Sequence, residues 1–324
     1  MAEFDLIERI RTRALARGDV MLGIGDDAAL LRVPAGQDLV VAMDTLNEGV
    51  HFPAGTAPGD IGWKALAVNL SDLAAMGAEP AWCTLSLSLS MPDARPAWVD
   101  AFIDGFEQLA SQHRVALVGG DTTRGAFSVC VTAHGFVEPG QALRRSGARE
   151  GDHLWVSGAL GEAAAALSRW RDGAAPGLCA DEAARLRARL DRPTPRIGLG
   201  RALRGVANAC IDISDGLLAD LGHVCRASGL GACVEVDSLP GGDALAAVFG
   251  RDTARQLQAA GGDDYELCFT APAAMAGRVA ACAAEVGVRV TRIGRMRAGA
   301  GVQAVDATGQ PWQPPRRGYQ HFGA

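Results

Sequence analysis

Apolar and polar residues recur along the chain with two periods, one typical of strands and one typical of helices. Segment 82–90, WCTLSLSLS, alternates apolar and polar positions, which predicts a strand with one buried face. Near the amino terminus, Phe4, Ile7 and Ile10 recur at helical spacing and predict an amphipathic helix. Both kinds of element are therefore expected in the first third of the chain.

Predicted strands and helices alternate through both halves of the sequence. Those of the first half, after the opening helix, are strands 20–25 and 39–44, helix 60–77, strand 82–90, helix 95–113, and strands 115–120 and 127–137. Those of the second half are strand 153–158, helices 161–170 and 181–191, strand 209–214, helix 216–227, strand 232–237, further helices, and strands 265–271 and 288–296. The short, regular repeat of a parallel barrel is absent, so we predict an α+β protein of two domains. Residues 138–152 are rich in Gly, Pro and charge and predict a linker, and the domains are expected at 1–138 and 149–324.

Composition narrows the class of protein and its partners. With 324 residues, 48% of them hydrophobic, the chain is long enough for two ordinary cores. The formal net charge of −6 and the lack of a long basic run argue against nucleic acid or an anionic membrane as the main partner. Asn69 and Asp72 interrupt the most apolar stretch, so no membrane span is predicted. The amino terminus lacks the apolar core of a signal peptide, and we expect a cytoplasmic protein with reduced cysteines.

Lysine is almost absent from the sequence. Lys64 is the only lysine, and it lies in GDIGWKALAVNL rather than in a GxxxxGK[ST] loop, which excludes a Walker-type P-loop. If the protein handles ATP, metal ions, backbone amides and arginine must neutralise the phosphates.

Several strand-like runs end on aspartate. The aspartates at these ends are Asp26, Asp27, Asp44, Asp121, Asp212 and Asp215. Ligands gather where strands emerge from an open sheet, so these ends are expected to come together. That many carboxylates need cations, and oxygen ligands favour Mg²⁺, which in proteins usually accompanies phosphate groups. The alternative is that aspartate follows strands because it caps helices and starts turns, but the Gly-Asp pairs in GDD, GGDTT and DISDG favour metal-dependent phosphate chemistry.

Other candidates lie between these strand ends. Asn69 and Asp72 share one face of an apolar helix, where Asp72 either binds metal or is capped or salt-bridged. Gly120 either turns backbone N–H groups toward phosphate or belongs to a plain turn. Ser214 is either the N-cap of the following helix or a phosphate ligand. His51 either contacts substrate, acts as an acid or base, or packs as a polar residue.

Arginine and aromatic side chains complete the candidates. Arg144 and Arg145 lie in the predicted linker, where a guanidinium group either binds phosphate or is simply solvated. Near the carboxyl end, Trp312, Tyr319 and Phe322 either stack on a flat cationic ring or close a core.

Read in order, the motifs GIGDDAALL, MDTLNEGVHF, NLSDLAAMGAEP, LVGGDTTRG, RRSGAREGD, IDISDGL, GGDDYEL and GYQHF closely resemble the thiamine-monophosphate kinase family. Enzymes of that family use ATP to make thiamine diphosphate. The resemblance extends from about Gly23 to Phe322, and the combination of motifs is far more specific than any one of them.

The resemblance implies a fold, ligands and site residues. The implied fold is a two-domain aminoimidazole ribonucleotide synthetase-like α+β fold, with an N-terminal α/β domain that builds a β-barrel across a homodimer and a C-terminal α+β domain that completes the ATP and substrate sites. In the family, several Mg²⁺ ions are bound at the positions that match Asp26, Asp44, Asp72, Asp121, Asp212 and Asp215. ATP is contacted at the positions that match Gly120, Asp121, Arg145 and Ser214. Thiamine monophosphate lies at the positions that match His51, Asp263 and Tyr319.

The sequence departs from the family pattern at a few positions. Ala42 and Met43 stand where the family often has hydroxyl residues, so only their backbone carbonyls could help to hold metal. The family motif GGEDYEL has glutamate where this chain has Asp263, whose side chain is one methylene shorter. Asp27 and Asp264 either bind metal or brace their neighbours.

The implied reaction needs no catalytic side chain. A phosphate monoester oxygen is the nucleophile, and it is largely ionised near neutrality because its second pKa is about 6. Repulsion between two polyanions is the main obstacle, and Mg²⁺ offsets it. We therefore expect direct in-line transfer without a phosphoenzyme.

Two alternatives remain open at this point. One is another ATP-dependent enzyme of the same superfamily, but the reactive N-terminal cysteine of selenophosphate synthetases has no match, since the first cysteine here is Cys83. The hydrogenase-maturation relative ends in a reactive cysteine, whereas this chain ends in HFGA. The other alternative is a nucleotide-binding module without catalytic activity.

Overall fold

The computed structural model describes residues 3–90, 95–172, 178–315 and 318–319. Internal contacts divide the chain into two units. Unit 1 comprises Met1–Leu73 and Ala78–Gly140, and unit 2 comprises Ala74–Gly77 and Gln141–Ala324. Within the described ranges, no helix has both the length and the apolar character needed to cross a membrane.

The elements of unit 1 follow the predicted order of helices and strands. They are α1 (Glu3–Arg11), β1 (Val20–Leu22), β2 (Leu30–Leu31), β3 (Asp38–Asn47), α2 (Pro58–Ala75), β4 (Glu79–Leu89), α3 (Pro96–His113), β5 (Ala116–Arg124) and β6 (Ser128–Val137). The two-residue strand β2 was not predicted, because a pair of leucines carries no periodicity. It forms a small antiparallel hairpin with β1.

Four strands of unit 1 form one sheet in the order β3-β6-β4-β5. β4 and β5 are parallel, and the other neighbours are antiparallel. Along β4 and β6 the apolar positions Leu85, Leu87, Val129 and Val131 are buried. Strands β3 and β5 are therefore the two edges of this sheet.

Helices α2 and α3 approach each other closely through glycines. A Cβ atom added at Gly62 would lie 2.1 Å from the carbonyl oxygen of Phe102, and one added at Gly105 would lie 1.8 Å from that of Gly59. Only residues without a Cβ fit at such contacts. Nearly all residues of α2 from Ile61 onward are buried, which explains why the helix is apolar on every side.

Unit 2 combines a larger sheet with helices. Its elements are β7 (His153–Ser157), α4 (Glu162–Asp172), α5 (Ala180–Asp191), α6 (Ile197–Ala202), β8 (Ala209–Asp212), α7 (Leu217–Ser228), β9 (Gly231–Glu235), α8 (Gly242–Phe249), α9 (Arg251–Ala260), β10 (Leu267–Ala271), α10 (Ala276–Glu285), β11 (Val290–Arg297), β12 (Gly301–Val305) and β13 (Pro311–Trp312). The strands lie in the order β13-β12-β9-β11-β7-β10-β8, and only β9 and β12 pair in parallel. Helix α7 contributes Leu217, Leu221 and Val224 to the main core. The predicted α+β class is confirmed, whereas a barrel shared between two copies stays a prediction.

Candidate functional site

In unit 1, the loop after β1 and the middle of β5 line one cleft. The cleft has a volume of about 910 Å³, and its lining residues include Asp26, Asp27, Gly120 and Asp121. The segments GIGDD and GGDTT are therefore brought together, as expected for a shared site. Arg11 of α1 is the one cationic side chain among the described residues of this lining.

Local backbone geometry explains the glycines of this cleft. Gly120 has a φ of +153°, and a Cβ atom there would lie 1.8 Å from the carbonyl oxygen of Leu85. Gly25 has a φ of +129°, and the next residue, Asp26, accepts a hydrogen bond from the N–H of Asp27 at 2.8 Å. Gly120 lets its segment bend where a side chain would not fit, and Gly25 adopts a positive φ that other residues rarely adopt.

Asp44 and Asp121 do not end their strands. The pairing of β3 with β6 continues to Asn47, and β5 continues to Arg124, so the predicted strand ends at Asp44 and Asp121 were wrong. The ladders extend because the polar residues that follow still pair with neighbouring strands. Since β3 and β5 are opposite edges, the sheet itself does not make these two aspartates neighbours.

A buried amide side chain fixes the backbone of Asp44. Asn69 of α2 is fully buried and accepts a hydrogen bond from the N–H of Asp44 at 3.0 Å, while its own amide donates to the carbonyl of Ala65 at 3.0 Å. Asp72 lies one turn further along α2 and is half-buried. Asn69 thus holds the backbone of β3 in place, whereas Asp72 remains a candidate metal ligand.

The only lysine is structural. Lys64 is buried, and its ammonium group donates to the carbonyl oxygen of His51 at 2.9 Å. His51 Nδ1 in turn accepts from the N–H of Asn47 at 3.0 Å, so the neutral ring carries its proton on Nε2. Together these bonds shape the turn after β3 and orient the imidazole.

In unit 2, an aspartate that the sequence analysis missed organises the DISDG turn. β8 ends at Asp212, two residues before the predicted end of the strand, and α7 begins at Leu217. One oxygen of Asp220, on the first turn of α7, accepts from the N–H groups of Ser214, Asp215 and Gly216. The spacing DGLLAD was the available signal, because it places Asp220 one helical turn after Gly216.

The interpretation of Ser214 as the helix N-cap was wrong. The N-cap of α7 is Gly216, which has a φ of +119° and no side chain, and the nearby amides bond to Asp220 instead. Burial raises the pKa of Asp220 to about 7, and the charges of Asp212 and Asp215 contribute to that rise. The turn therefore holds a local surplus of negative charge.

The segment GGDDYEL lies directly against this turn. The N–H of Asp263 donates to the carbonyl of Ser214 at 2.9 Å, and that of Tyr265 donates to the carbonyl of Ile213 at 2.8 Å. Asp263 and Tyr265 have φ angles of +67° and +49°. Left-handed backbone at non-glycine residues costs of order 1–3 kcal/mol each and clusters at functional sites.

Two carboxylates of this segment are braces. Asp264 is buried and accepts from the N–H of Gly161 with both oxygens at 3.0 Å, and burial raises its pKa well above the usual value. Glu266 is fully buried and receives bonds from Ser157 at 2.6 Å, from Arg189 at 2.9 Å, and from Arg196. Asp264 and Glu266 thus fix the segment on both sides.

Tyr319 bonds to the same turn of unit 2, and Arg145 lies near helix α7, which follows that turn. The N–H of Tyr319 donates to the carbonyl of Asp215 at 3.0 Å. Arg145 is exposed, and its charge contributes, after burial and Arg226, to the lowered pKa of His223 on α7. Trp312 packs against the core of unit 2, and Phe322 lies outside the described residues.

The donor atoms fit a hard cation, although no complete cage is formed. In the part of the chain described, no three His, Cys, Asp or Glu side chains are grouped as ligands for one ion. The candidate donors are all carboxylate oxygens, which Mg²⁺ prefers. A cation at Asp212 or Asp215 would also offset their repulsion of Asp220, which adds to the effect of burial on its pKa.

Comparisons with known proteins cover both halves of the chain. Residues 25–137 and 149–307 match the models described as the N-terminal and C-terminal domains of AIR synthase related protein. The chain is 44% identical to a thiamine-monophosphate kinase from Salmonella typhimurium over 321 residues, which covers 99% of this chain and 98% of that protein.

Two solved structures are similar over nearly the whole chain. The crystal structure of thiamine-monophosphate kinase from Stenotrophomonas maltophilia K279a has 57% identity and a TM-score of 0.86, covering 94% of this chain and 96% of that one. The structure of AaThiL complexed with AMPPCP and TMP has 32% identity and a TM-score of 0.78, covering 99% of this chain and 97% of that one.

Proposed function

The chain belongs to the thiamine-monophosphate kinase family of AIR synthase related proteins, and we propose that it transfers the γ-phosphate of ATP to thiamine monophosphate, giving thiamine diphosphate and ADP. It is a phosphotransferase. The relative that binds AMPPCP and TMP supports both the nucleotide and the phosphate acceptor.

One observation of the structure supports this activity above the others. The cleft of unit 1 places Asp26, Asp27 and Asp121 around a glycine backbone, while the only lysine is buried and bonded to a carbonyl. Phosphates in such a cleft are handled by carboxylate-bound cations and backbone amides rather than by a P-loop lysine.

The roles of the residues follow the family resemblance. The proposed Mg²⁺ ligands are Asp26, Asp44, Asp72, Asp121, Asp212 and Asp215. The proposed ATP contacts are Gly120, Asp121, Arg145 and Ser214. The proposed contacts to thiamine monophosphate are His51, Asp263 and Tyr319. When bound, Mg²⁺ supplies charge neutralisation between the two polyanions.

The chain's own groups orient the reactants. His51 presents Nε2–H as a donor, because its Nδ1 is occupied by the backbone of Asn47. Asp263 and Tyr319 are each fixed by a backbone bond to the DISDG turn. Since the attacking phosphate oxygen is already ionised near neutrality, no side chain needs to remove a proton.

The decisive test is product formation. The purified protein is incubated with ATP, Mg²⁺ and thiamine monophosphate, and thiamine diphosphate and ADP are separated by chromatography. We expect equal amounts of both products, and a large loss of activity in Asp44→Asn. Asp38→Asn is the matched control, because Asp38 is an exposed residue of the same strand.

Two results would contradict the proposal. ATP binding without thiamine diphosphate would reopen a different superfamily activity or a non-catalytic nucleotide-binding module. Protein-bound ³²P after incubation with γ-labelled ATP alone would contradict direct transfer and indicate a phosphoenzyme.

We further propose that the protein is a homodimer joined through the sheet of unit 1. Leu39, Val41 and Met43 alternate along edge strand β3 and share one face, and Val41 and Met43 are 54% and 64% exposed. A continuous apolar stripe on an edge strand favours pairing with another copy.

Sedimentation velocity tests this assembly. Met43→Asp is expected to shift the protein toward monomer, because the substitution would bury a charge in the apolar contact. Trp170→Asp is the control, since Trp170 is an exposed large apolar residue of unit 2. A monomeric wild-type protein at micromolar concentration would overturn the dimer.

A further inference from the structure

We propose that Asp220 is a positioning residue that occupies the amides of the Ser214–Gly216 turn and so presents the candidate metal ligands Asp212 and Asp215. It also denies those amides to the phosphates of the nucleotide, so the proposed ATP contact of Ser214 is left to its hydroxyl group. The inference rests on the proposed function, because it assigns a role within the same site.

The geometry is that of a filled anion-binding nest. One carboxylate oxygen of Asp220 accepts from the N–H groups of Ser214 at 3.1 Å, Asp215 at 3.1 Å and Gly216 at 3.0 Å. Successive N–H groups at the start of a helix can bind an external anion such as phosphate. Here the chain supplies the anion itself, and Asp220 is 4% exposed.

The turn is held on its other side through carbonyls. Ser214 accepts from the N–H of Asp263, and Asp215 accepts from the N–H of Tyr319. The amides of the turn therefore bond to Asp220, whereas the carbonyls of Ser214 and Asp215 bond to the proposed substrate contacts. Loss of Asp220 would release the amide side of this arrangement.

The position of Asp220 is electrostatically unfavourable by itself. It is buried, and it bonds directly to the N–H group of Asp215, a candidate metal ligand, at 3.1 Å. Three backbone donors offset part of that cost. A carboxylate kept in such a place is better explained by the turn it shapes than by core packing, for which an apolar side chain would suffice.

Hydrogen exchange of the wild-type protein tests the geometry without any assay of activity. Without nucleotide, the amides of residues 214–216 are expected to be protected, because they bond to Asp220. If these amides exchange at unprotected rates in the free protein and become protected when ATP and Mg²⁺ are added, they bind the nucleotide rather than Asp220. The proposal would then be overturned.

The variant Asp220→Asn tests the role. It keeps the shape of the side chain but removes the charge, and we expect the Mg²⁺ concentration for half-maximal turnover to rise by roughly 10- to 100-fold, as for residues that orient metal ligands. High Mg²⁺ should restore part of the turnover, a rescue that a general loss of folding would not show. Asp252→Asn is the control, because Asp252 lies on the first turn of α9 with its side chain 89% exposed.

The outcomes separate the two proposals. If wild-type protein makes thiamine diphosphate and Asp220→Asn has the same Mg²⁺ dependence, the role of Asp220 is refuted. If wild-type protein makes no thiamine diphosphate, the kinase proposal fails. The role of Asp220 can still be tested, because the Mn²⁺ affinities of Asp220→Asn and Asp252→Asn can be measured by electron paramagnetic resonance. Equal Mn²⁺ affinity in both variants would refute the positioning role.

Discussion

Replacing Glu266 by glutamine is expected to destabilise unit 2 strongly. Glu266 is fully buried and receives bonds from Ser157, Arg189 and Arg196. Both guanidinium groups are largely buried, and the neutral amide that replaces the carboxylate would leave their charges without this partner. Removing one partner of a buried ion pair costs about 3–5 kcal/mol.

The assay is urea unfolding followed by tryptophan fluorescence. With a urea dependence of about 2–3 kcal/mol per molar, the midpoint of the transition is expected to fall by about 1–2.5 M. Glu235→Gln is the matched control, because Glu235 pairs with Arg292 at 4.0 Å and the two side chains are 45% and 47% exposed. An exposed pair contributes about 0–1 kcal/mol. Equal midpoints for the two variants would show that the buried network does not stabilise the fold.

The same substitution should affect one substrate more than the other. Glu266 follows Asp263 and Tyr265, whose left-handed backbone depends on the surrounding contacts. In Glu266→Gln the KM for thiamine monophosphate is expected to rise by more than the KM for ATP. A proportional rise in both constants would argue against a specific role in holding this segment.

Three further outcomes follow from single positions. Gly120→Ala should lower turnover by about 100-fold, because the added Cβ would displace the backbone at Leu85 or at residue 120 by about 1 Å or more. Gly119→Ala is the control and should retain activity, because a Cβ at that position meets open space. Asn69→Ala removes the acceptor of the Asp44 N–H, and we expect the free energy of unfolding to fall by about 1–3 kcal/mol. Thermal unfolding measures this change, and an unchanged melting temperature would contradict it. Burial raises the pKa of Glu107 to about 7. The stability of the wild-type protein should therefore fall as the pH rises from the usual pKa of glutamate toward 7. Because this carboxyl is only partly buried, we expect a modest effect: the free energy of unfolding of Glu107→Gln, relative to wild type, should be about 1–2 kcal/mol higher at pH 8 than at pH 5. An equal difference from wild type at both pH values would contradict the pKa shift.

Much of the fold was predictable because each element carries its own local signal. The alternation in WCTLSLSLS overlaps most of β4, and the predicted strand 209–214 contains β8. Glycine followed by aspartate marked the loops that line the cleft of unit 1. Elements of two to six residues, such as β2, β13 and α6, were missed because they are too short to show a period.

The ends of the strands at Asp44 and Asp121 could not be read from the sequence. Polar residues follow both aspartates, which suggested that the strands stop there. In the sheet, these residues continue to pair with neighbouring strands. Backbone pairing depends on the partner strand and not on the polarity of the side chain.

The sequence by itself determined which segments form the core, where glycine accompanies aspartate, and that the single lysine does not belong to a P-loop. Only the tertiary structure decided what the buried polar groups bind. Lys64 donates to a backbone carbonyl in the turn after β3, and Asp220 accepts hydrogen bonds from three backbone amides. Glu266 bonds to Ser157, which is 109 residues away in the chain. Periodicity records whether a position faces the core, but the partner of a buried charge is set by elements that meet only after folding, and burial without such a partner is costly.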